Sequence, residues 1–457
     1  MNRGEPITIV GAGLVGALLA TLLAQRGFSV TLLEGRSDPR LAGFVGGRSI
    51  NLALAERGWN GLRLAGLAET LRPLAVMMRG RMVHHLDGRT ELLRYGRDDS
   101  EVNWSIGRGE LNIALLNAGQ AAGVEMHFDQ RLVSVDWDKS TLRLRDAAER
   151  TREIVATRLI GADGAGSALR AAMATVQDLG ERYEPLEHGY KELEIPARNG
   201  DFAMPANALH IWPRGNYMCI ALPNAEGSFT VTLFLPNHPD ANPGEPSFAT
   251  VDSPIAIREL FARDFIDALP LIPDLQRDFM NNPTGTLGTL YLDRWHLGGR
   301  AVLLGDAAHP IVPFHGQGMN CGFEDAVDLA QLLDDARGDT AYAFAEFERR
   351  RKPNADAIAA MALENYVEMR DSVADASFLL MRELERKLAQ RHPKRFVPRY
   401  WMVTFTRLPY SIAFERGKIQ AQILRELSAR TSSLDDIDLT YADRLIDARL
   451  PPLPAGH

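Results

Sequence analysis

The chain is poor in cysteine, in surplus positive charge and in long apolar runs, and each shortage removes a class of protein. Its 457 residues hold two cysteines, Cys219 and Cys321, far apart in sequence. Neither a disulfide framework nor a cysteine-based metal site follows from them, and a reducing cytoplasm suits such a chain. Fifty-one basic residues against 59 acidic ones give a net charge of −8. That is the wrong sign for a surface that must offset nucleic-acid phosphates. No internal repeat or low-complexity tract is found. One stretch, Ile7 to Ala24, carries no charge and is long enough to raise the question of a membrane span or signal peptide. Gly11, Gly13 and Gly16 interrupt it, and a β-like run from Phe28 to Leu33 follows, so a strand, a glycine turn and a helix explain all of it. The end of the chain, Thr431 to His457, is polar and contains proline. These features predict a soluble, cytoplasmic protein with no nucleic-acid or membrane partner. The composition that remains, 46% hydrophobic and 24% charged, is ordinarily globular, with length enough for two or three domains.

The first unit reads β-α-β: Ile7–Val10 as a buried strand, Leu14–Arg26 as a helix stopped by Gly27, and Ser29–Glu34 as the second strand. Met77–Leu86 and Ala208–Leu235 instead alternate apolar and polar residues, with Trp212 to Tyr217 as a hairpin turn. This predicts an antiparallel sheet from a second domain. Around Arg300–Gly305 the α/β pattern returns as a short apolar strand, a Gly/Pro loop and a helix to about Ala336. Beyond Thr340 the period is helical, and Pro353 is expected to kink or divide the helix because it cannot donate a backbone hydrogen bond.

In Gly11-Ala12-Gly13-Leu14-Val15-Gly16 the first glycine permits a tight turn, the second lets a pyrophosphate approach the backbone, and the third lets helix and strand pack closely. The N–H groups at Leu14 and beyond face the phosphates with the positive end of the helix dipole. Glu34 ends the next strand, near the ~20-residue offset of a carboxylate that binds a ribose diol. A carboxylate there repels a 2′-phosphate, which disfavours NADP at this site. A ligand-free strand–helix turn would show the same glycines, and NAD and FAD share the fingerprint, so this motif alone does not choose between them.

Two further segments do. Leu159-Ile160-Gly161-Ala162-Asp163-Gly164-Ala165-Gly166-Ser167-Ala168-Leu169-Arg170 and Gly305-Asp306-Ala307-Ala308-His309-Pro310, followed by Pro313-Phe314-His315-Gly316-Gln317-Gly318-Met319-Asn320, resemble the second and third fingerprints of the flavoprotein aromatic hydroxylases. The resemblance implies that Asp163 lies beside the FAD pyrophosphate and is associated with NAD(P)H use. It implies that Asp306 accepts a hydrogen bond from a ribityl hydroxyl. Gly316 and Gly318 let the backbone lie against the isoalloxazine. Met319 and Asn320 open a helix whose N–H groups face the flavin pyrimidine, where negative charge gathers on reduction. Arg108, in Ser105-Ile106-Gly107-Arg108-Gly109-Glu110-Leu111, matches the family arginine at the flavin phosphate or ribityl region, although a solvated helix-start arginine looks the same. Asp163 read alone is a turn aspartate, Asp306 a capping one. His309 and His315 could suggest a metal pair, but no third ligand is evident beside them and no metal is expected.

Narrower stretches resemble the kynurenine 3-monooxygenase family: Arg48-Ser49-Ile50-Asn51-Leu52-Ala53-Leu54-Ala55-Glu56-Arg57-Gly58, Met78-Arg79-Gly80-Arg81-Met82-Val83-His84, Tyr95-Gly96-Arg97-Asp98 and Met361-Ala362-Leu363-Glu364-Asn365-Tyr366-Val367-Glu368-Met369. The similarity runs to about Tyr410. It implies an α/β FAD-binding, Rossmann-like domain of the aromatic hydroxylase type (residues 1–76, 97–177 and 289–370), an inserted antiparallel-sheet substrate domain (77–96 and 178–288), and a helical C-terminal part (371–457). The implied reaction hydroxylates L-kynurenine to 3-hydroxykynurenine, a step of tryptophan degradation, with bound FAD, transient NADPH and O2, through a flavin C4a-hydroperoxide. By the same resemblance Arg81 holds the substrate carboxylate through charge-assisted hydrogen bonds. Tyr95, Asn365 and Tyr400 add hydrogen bonds, and Phe314 and His315 lie near the flavin and the ring to be oxidised. Read from sequence alone, Arg81 is an exposed strand arginine, and the other three are packing or surface residues. Turnover of a different aromatic acid, or FAD binding by a redox-sensing module without turnover, are the competing expectations; a halogenase is disfavoured by the lack of a Trp-x-Trp-x-Ile-Pro segment. Eukaryotic members carry a C-terminal membrane anchor, whereas Ile419, Ile423, Leu424 and Leu427 here read as an amphipathic helix packed on a core.

Overall fold

A computed structural model describes residues 6–42, 51–239, 244–371, 376–429 and 433–453. Arg48, Ser49 and Ile50 of the family-like segment lie outside them. The uncharged start of the chain becomes the strand Ile7–Val10 and the helix Leu14–Gln25, and both are buried. They are apolar all round because both faces are covered, as a central parallel strand and its crossover helix require. The strand sits inside a six-stranded sheet in the order His296–Leu297, Ala301–Leu303, Leu159–Gly161, Ile7–Val10, Val30–Leu33, Glu125–His127. Every pairing is parallel except that of the outermost strand, His296–Leu297, with Ala301–Leu303. The helices Leu14–Gln25, Arg108–Ala121 and Gly318–Asp335 pack with this sheet into one large core.

A seven-stranded sheet forms the second layer: Gly285–Tyr291, Arg182–Ile195, Phe229–Pro236, Met218–Pro223, Leu209–Pro213, Gly80–His84, Thr90–Arg94. The hairpin expected across Trp212 to Tyr217 is present, joining Leu209–Pro213 to Met218–Pro223. Two expectations for this region need correction. The sheet is mixed, because Leu209–Pro213 and Gly80–His84 pair in parallel. The alternating run Met77–Leu86 is not one strand either. Met77 and Met78 end the strand Ala75–Met78, which pairs with Asn103–Gly107 in a small sheet completed by Asn51–Leu54. The chain changes sheets at Arg79, which alternation alone cannot signal, since both strands share the period of two. A further three-stranded sheet, Arg131–Asp136, Thr141–Arg145 and Thr151–Val155, had no clear sequence forecast.

Pro353 does not divide its helix. Thr340–Asp371 runs through it unbroken, and buried Ala355, Ile358 and Met361 hold the turns beyond the proline in place. The C-terminal helices are fastened to the cofactor-side helix Gly318–Asp335 by a buried cation. Arg57 pairs with Glu324 at 2.5 Å and lies 3.9 Å over the Tyr410 ring, while Tyr410 donates to Gln317 Oε1 at 2.8 Å. Ile423, Leu424 and Leu427 are buried in a core of these helices, with Ile419 packed against it, as their spacing predicted. No helix of the described residues is long and apolar enough to cross a membrane.

Candidate active site

The glycine loop divides its labour. Gly11 has φ +104°, a left-handed conformation that side chains other than glycine rarely adopt, and a Cβ there would lie 2.4 Å from the Ala162 carbonyl oxygen. At Gly16 a Cβ would lie 1.9 Å from the Gly11 carbonyl oxygen. A Cβ at Gly13 would meet nothing within 4 Å among the described residues. Two glycines therefore serve packing, and the middle one faces open space at the start of the helix. That helix begins at Leu14 with no side-chain cap and no acidic residue in its first turn, so its leading amides are left for an anion. Glu34 is fixed against the loop. Its Oε2 accepts from the Ala12 N–H at 2.9 Å and its Oε1 from the Arg36 backbone N–H at 3.0 Å. Asn112, which sequence reasoning missed, donates to the Ala12 carbonyl at 3.0 Å; an asparagine inside a helix gave no signal of this.

Asp163 follows the strand Leu159–Gly161 and spends its carboxylate locally. It accepts from Ser167 Oγ at 2.5 Å, Ala168 N at 2.7 Å and Leu169 N at 3.2 Å, capping the helix Ala168–Ala174. The side chain thus shapes the loop, and open glycines at 164 and 166 flank it. Arg170 ties this loop to the next, donating to the carbonyls of Ala165 at 2.6 Å and Ala307 at 3.0 Å.

Asp306 lies in a 3-10 turn after the strand Ala301–Leu303. Its surface is exposed, yet burial pushes its pKa up, with His309 and Arg108 working against the shift. The exposure describes the surface of Asp306 itself, whereas the pKa shift reflects the bulk of protein packed around the turn. Arg108, first in the helix Arg108–Ala121, acts electrostatically on Asp306, Tyr190 and Glu192. Beneath the turn, buried Asp325 accepts from Gly305 N at 3.1 Å, His309 Nε2 at 2.6 Å and Arg351 Nε at 2.7 Å. His309, Cys321 and Asp325 lie close enough together to share a metal ion, so the expectation that no further ligand accompanies His309 is corrected. Both Asp325 oxygens are nevertheless engaged, one by a guanidinium, which makes the cluster an ion-pair network that stiffens the turn.

The helix Gly318–Asp335 has no side-chain cap, so the N–H groups of Gly318, Met319 and Asn320 lack partners within it. The Asn320 side chain is occupied: Oδ1 accepts from Ala55 N at 2.9 Å, and Nδ2 donates to the carbonyls of Ala53 at 2.8 Å and Gly316 at 2.9 Å. It staples the strand Asn51–Leu54 to the Gly316 turn, where φ is +66°.

Arg81, Tyr95, Tyr400 and His315 come from four separate segments and meet in one group. Tyr95 and Tyr400 lie 5.3 Å apart at 17°, and Tyr400 and His315 lie 5.6 Å apart at 14°. The Arg81 guanidinium lies 6.0 Å from the Tyr95 ring and 5.7 Å from the Tyr400 ring. Burial opposes its charge, but Tyr95, Tyr400 and Glu368 outweigh that and leave its pKa raised. Burial, with Arg81 and Arg399, holds His315 down at a pKa of about 4, so the ring is neutral at pH 7, and its Nδ1 is buried without a partner among the described residues. Phe314 packs on Tyr366 at 4.2 Å and Phe234 at 5.1 Å. Asn365, to which the resemblance gives a hydrogen bond to the substrate, lies against the Phe314–His315 turn. Its Nδ2 donates to the Phe314 carbonyl at 2.5 Å and to Met369 Sδ at 3.3 Å, bracing the Phe314–His315 turn. Asn103, also unforeseen, donates from Nδ2 to the Tyr400 hydroxyl at 2.8 Å.

These features suit a flavin nucleotide: an open glycine at an uncapped helix, an exposed carboxylate in the turn after a buried strand, and a buried imidazole nitrogen without a partner among the described residues. The comparisons agree. The family model described as FAD binding domain matches residues 5–362. A kynurenine 3-monooxygenase of Xanthomonas axonopodis pv. citri (strain 306) is 58% identical over 99% of this chain and 98% of that protein. One from Stenotrophomonas maltophilia (strain K279a) is 56% identical over 100% and 99%. Among solved structures, the tetrameric form of 2-methyl-3-hydroxypyridine-5-carboxylic acid oxygenase shares the fold, with a TM-score of 0.64 at 22% identity, over 83% of this chain and 96% of that one. The chain belongs to the kynurenine 3-monooxygenase family of FAD-binding aromatic hydroxylases.

Proposed function

We propose that this chain hydroxylates L-kynurenine to 3-hydroxykynurenine, with FAD as its bound cofactor and NADPH and O2 as co-substrates. The observation that carries the substrate assignment is the Arg81 guanidinium, lying over Tyr95 and Tyr400 beside a neutral His315. A fixed cation with phenols on one side and an imidazole wall beyond suits an anionic aromatic amino acid. Bound FAD would take hydride from NADPH and, with O2, supply the oxygen placed on the ring carbon ortho to the amino group. The protein's own residues then have three tasks.

The first is to hold the cofactor. The loop Gly11–Gly16 and the amide of Leu14 would hold the pyrophosphate, with Asp163 shaping the neighbouring loop; Glu34 would hold the ribose, and Arg108 and Asp306 the ribityl region. The amides of Gly318, Met319 and Asn320 would stabilise negative charge at the pyrimidine end. The second is to orient the substrate: Arg81 grips the carboxylate, Tyr95 and Tyr400 add hydrogen bonds, and Asn365 fixes the Phe314–His315 turn. The third is to keep water away. Phe314 is buried among aromatic rings, and a neutral His315 brings no hydrated charge to the ring. The aniline nitrogen supplies electron density, so no protein base is required, only orientation and dryness. We assign cofactor binding to residues 1–76, 97–177 and 289–370, the substrate sheet to 77–96 and 178–288, and helical support to 371–457, with two adjustments at the seams: Met77 and Met78 belong to the small sheet, and the strand Gly285–Tyr291 carries the substrate sheet past residue 288. A reducing cytoplasm suits two buried, unbridged thiols.

The test is to supply L-kynurenine, NADPH and O2 to FAD-loaded protein and follow the product by mass spectrometry. A species one oxygen heavier is expected. Its absence, or faster NADPH consumption with hydroxybenzoates than with kynurenine, would move the substrate to another aromatic acid.

A further inference from the structure

We propose that Asn103 is a positioning residue that directs the Tyr400 hydroxyl proton toward the carboxylate of the substrate. This rests on the assignment of Arg81, Tyr95 and Tyr400 to that carboxylate. Asn103 opens the strand Asn103–Gly107 of the small sheet, opposite Met78, while Tyr400 belongs to the helix Arg399–Thr404. The two are 297 positions apart in sequence and meet through one hydrogen bond, Asn103 Nδ2 to Tyr400 Oη at 2.8 Å. Asn103 is 6% exposed.

The direction of that bond matters. An amide nitrogen donates and cannot accept, so the phenol oxygen is the acceptor and its own proton must point elsewhere. Tyr95 and Thr404 also interact with the Tyr400 phenol. The Arg81 guanidinium lies 5.7 Å from the Tyr400 ring and also engages Tyr95, so an anion gripped by Arg81 would meet the phenol proton on that side of the stack. Asn103 Oδ1 is buried with no partner among the described residues. A residue chosen only for packing at this place would carry no such unmatched oxygen, because a buried unpaired acceptor is destabilising. An apolar residue of similar size would fill the volume, so what the amide adds is a donor to Tyr400. Aspartate there would do the reverse: it offers only acceptors, captures the phenol proton, and withdraws it from the substrate.

The proposal separates carboxylate recognition from every other part of binding. Dissociation constants can be read from the change in flavin absorbance when L-kynurenine, or kynurenamine (which lacks only the carboxylate), is added to FAD-loaded protein. For Asn103→Leu we expect normal FAD content, about tenfold weaker binding of L-kynurenine and less than a twofold change for kynurenamine. Asn103→Asp should weaken L-kynurenine by about 100-fold through proton capture and added negative charge. In a Tyr400→Phe background, Asn103→Leu should have no further effect. Asn103→Ser takes the place of leucine if the latter fails to load FAD. Equal losses for both ligands, or a full additional loss in the Tyr400→Phe background, would overturn the proposal and leave Asn103 as a packing residue. Wild-type protein that makes no oxygenated product from L-kynurenine would instead overturn the substrate reading on which it rests.

Discussion

The glycine loop and the Arg81 stack are built by opposite means. The loop is a run of six neighbouring residues whose backbone does the work, and its geometry is fixed by what a Cβ would strike: 2.4 Å from Ala162 at Gly11, 1.9 Å from Gly11 at Gly16. The stack is made of side chains from positions 81, 95, 315 and 400, set by packing between a mixed sheet, a 3-10 turn and a C-terminal helix. A site made of backbone fails when atoms are added to it. A site made of side chains fails one interaction at a time.

The largest effect should therefore come from the loop. Gly16→Ala forces a carbon onto the Gly11 carbonyl, so the turn must open. Both flavin content and thermal stability should fall steeply, with flavin-to-protein absorbance down by at least tenfold. Gly13→Ala meets nothing among the described residues. It should unfold at the wild-type temperature without cofactor, yet bind FAD much more weakly. Equal melting temperatures for Gly16→Ala and Gly13→Ala would break the distinction between a packing glycine and an approach glycine.

Next comes Arg81→Ala. Loss of a charge-assisted, paired contact to a carboxylate is expected to weaken L-kynurenine binding by about 100-fold, or ~3 kcal/mol, while FAD content stays normal. If flavin is lost as well, the two halves are not separable and Arg81 belongs to the cofactor site.

The same contrast explains what the sequence revealed. Gly11, Gly13, Gly16 and Glu34 were legible because a sterically forced turn leaves consecutive marks, and the strand–helix–strand around them followed from uncharged periodicity. Asp306 was legible as the end of an apolar strand followed by a distinctive loop. Arg81, Tyr95 and Tyr400 left no local mark; only resemblance singled them out, because their meeting depends on contacts between elements hundreds of residues apart. Asn112 and Asn103 were missed for that reason. The change of sheet at Arg79 was hidden because two strands in different sheets share one alternation. Pro353 misled in the other direction on one point: local chemistry argued for a kink or a division, and buried packing on both sides kept the helix undivided.

Acid should distinguish the two regions as well. His210, wholly buried on the strand Leu209–Pro213, has its pKa lowered by burial to about 4. Its folded-state pKa lies below the unfolded value of about 6.5, so the unfolded chain binds the extra proton first. The stabilisation is complete above about pH 6.5 and is lost as pH falls toward 4, by an amount on the order of 3 kcal/mol. His315, also at about 4 through burial, adds to the same limb with the same sign. Urea unfolding at pH 7 and pH 4.5 should show the loss, and His210→Gln should flatten it while lowering stability at pH 7. An unchanged slope in that variant would assign the acid sensitivity to other groups.

The smallest effects belong to two braces, one in each half. Glu34 Oε2 holds the Ala12 N–H at 2.9 Å, and Asn365 Nδ2 holds the Phe314 carbonyl at 2.5 Å. Glu34→Gln keeps the shape and an acceptor but loses the charge, so FAD affinity should fall about threefold to tenfold with no change in L-kynurenine binding. Asn365→Leu removes the donor from a turn whose next residue, His315, stacks on Tyr400. If the amide acts as a brace, the affinities for FAD and L-kynurenine both stay within about threefold. The turn loosens, water enters, and more of the NADPH consumed is returned as hydrogen peroxide instead of hydroxylated product. If L-kynurenine binding falls tenfold instead, the amide turns from Phe314 to the substrate on binding, and Asn365 joins Arg81 as a direct ligand. The ratio of peroxide to product, measured beside the dissociation constant, decides between a wall that is held in place and a hand that reaches in.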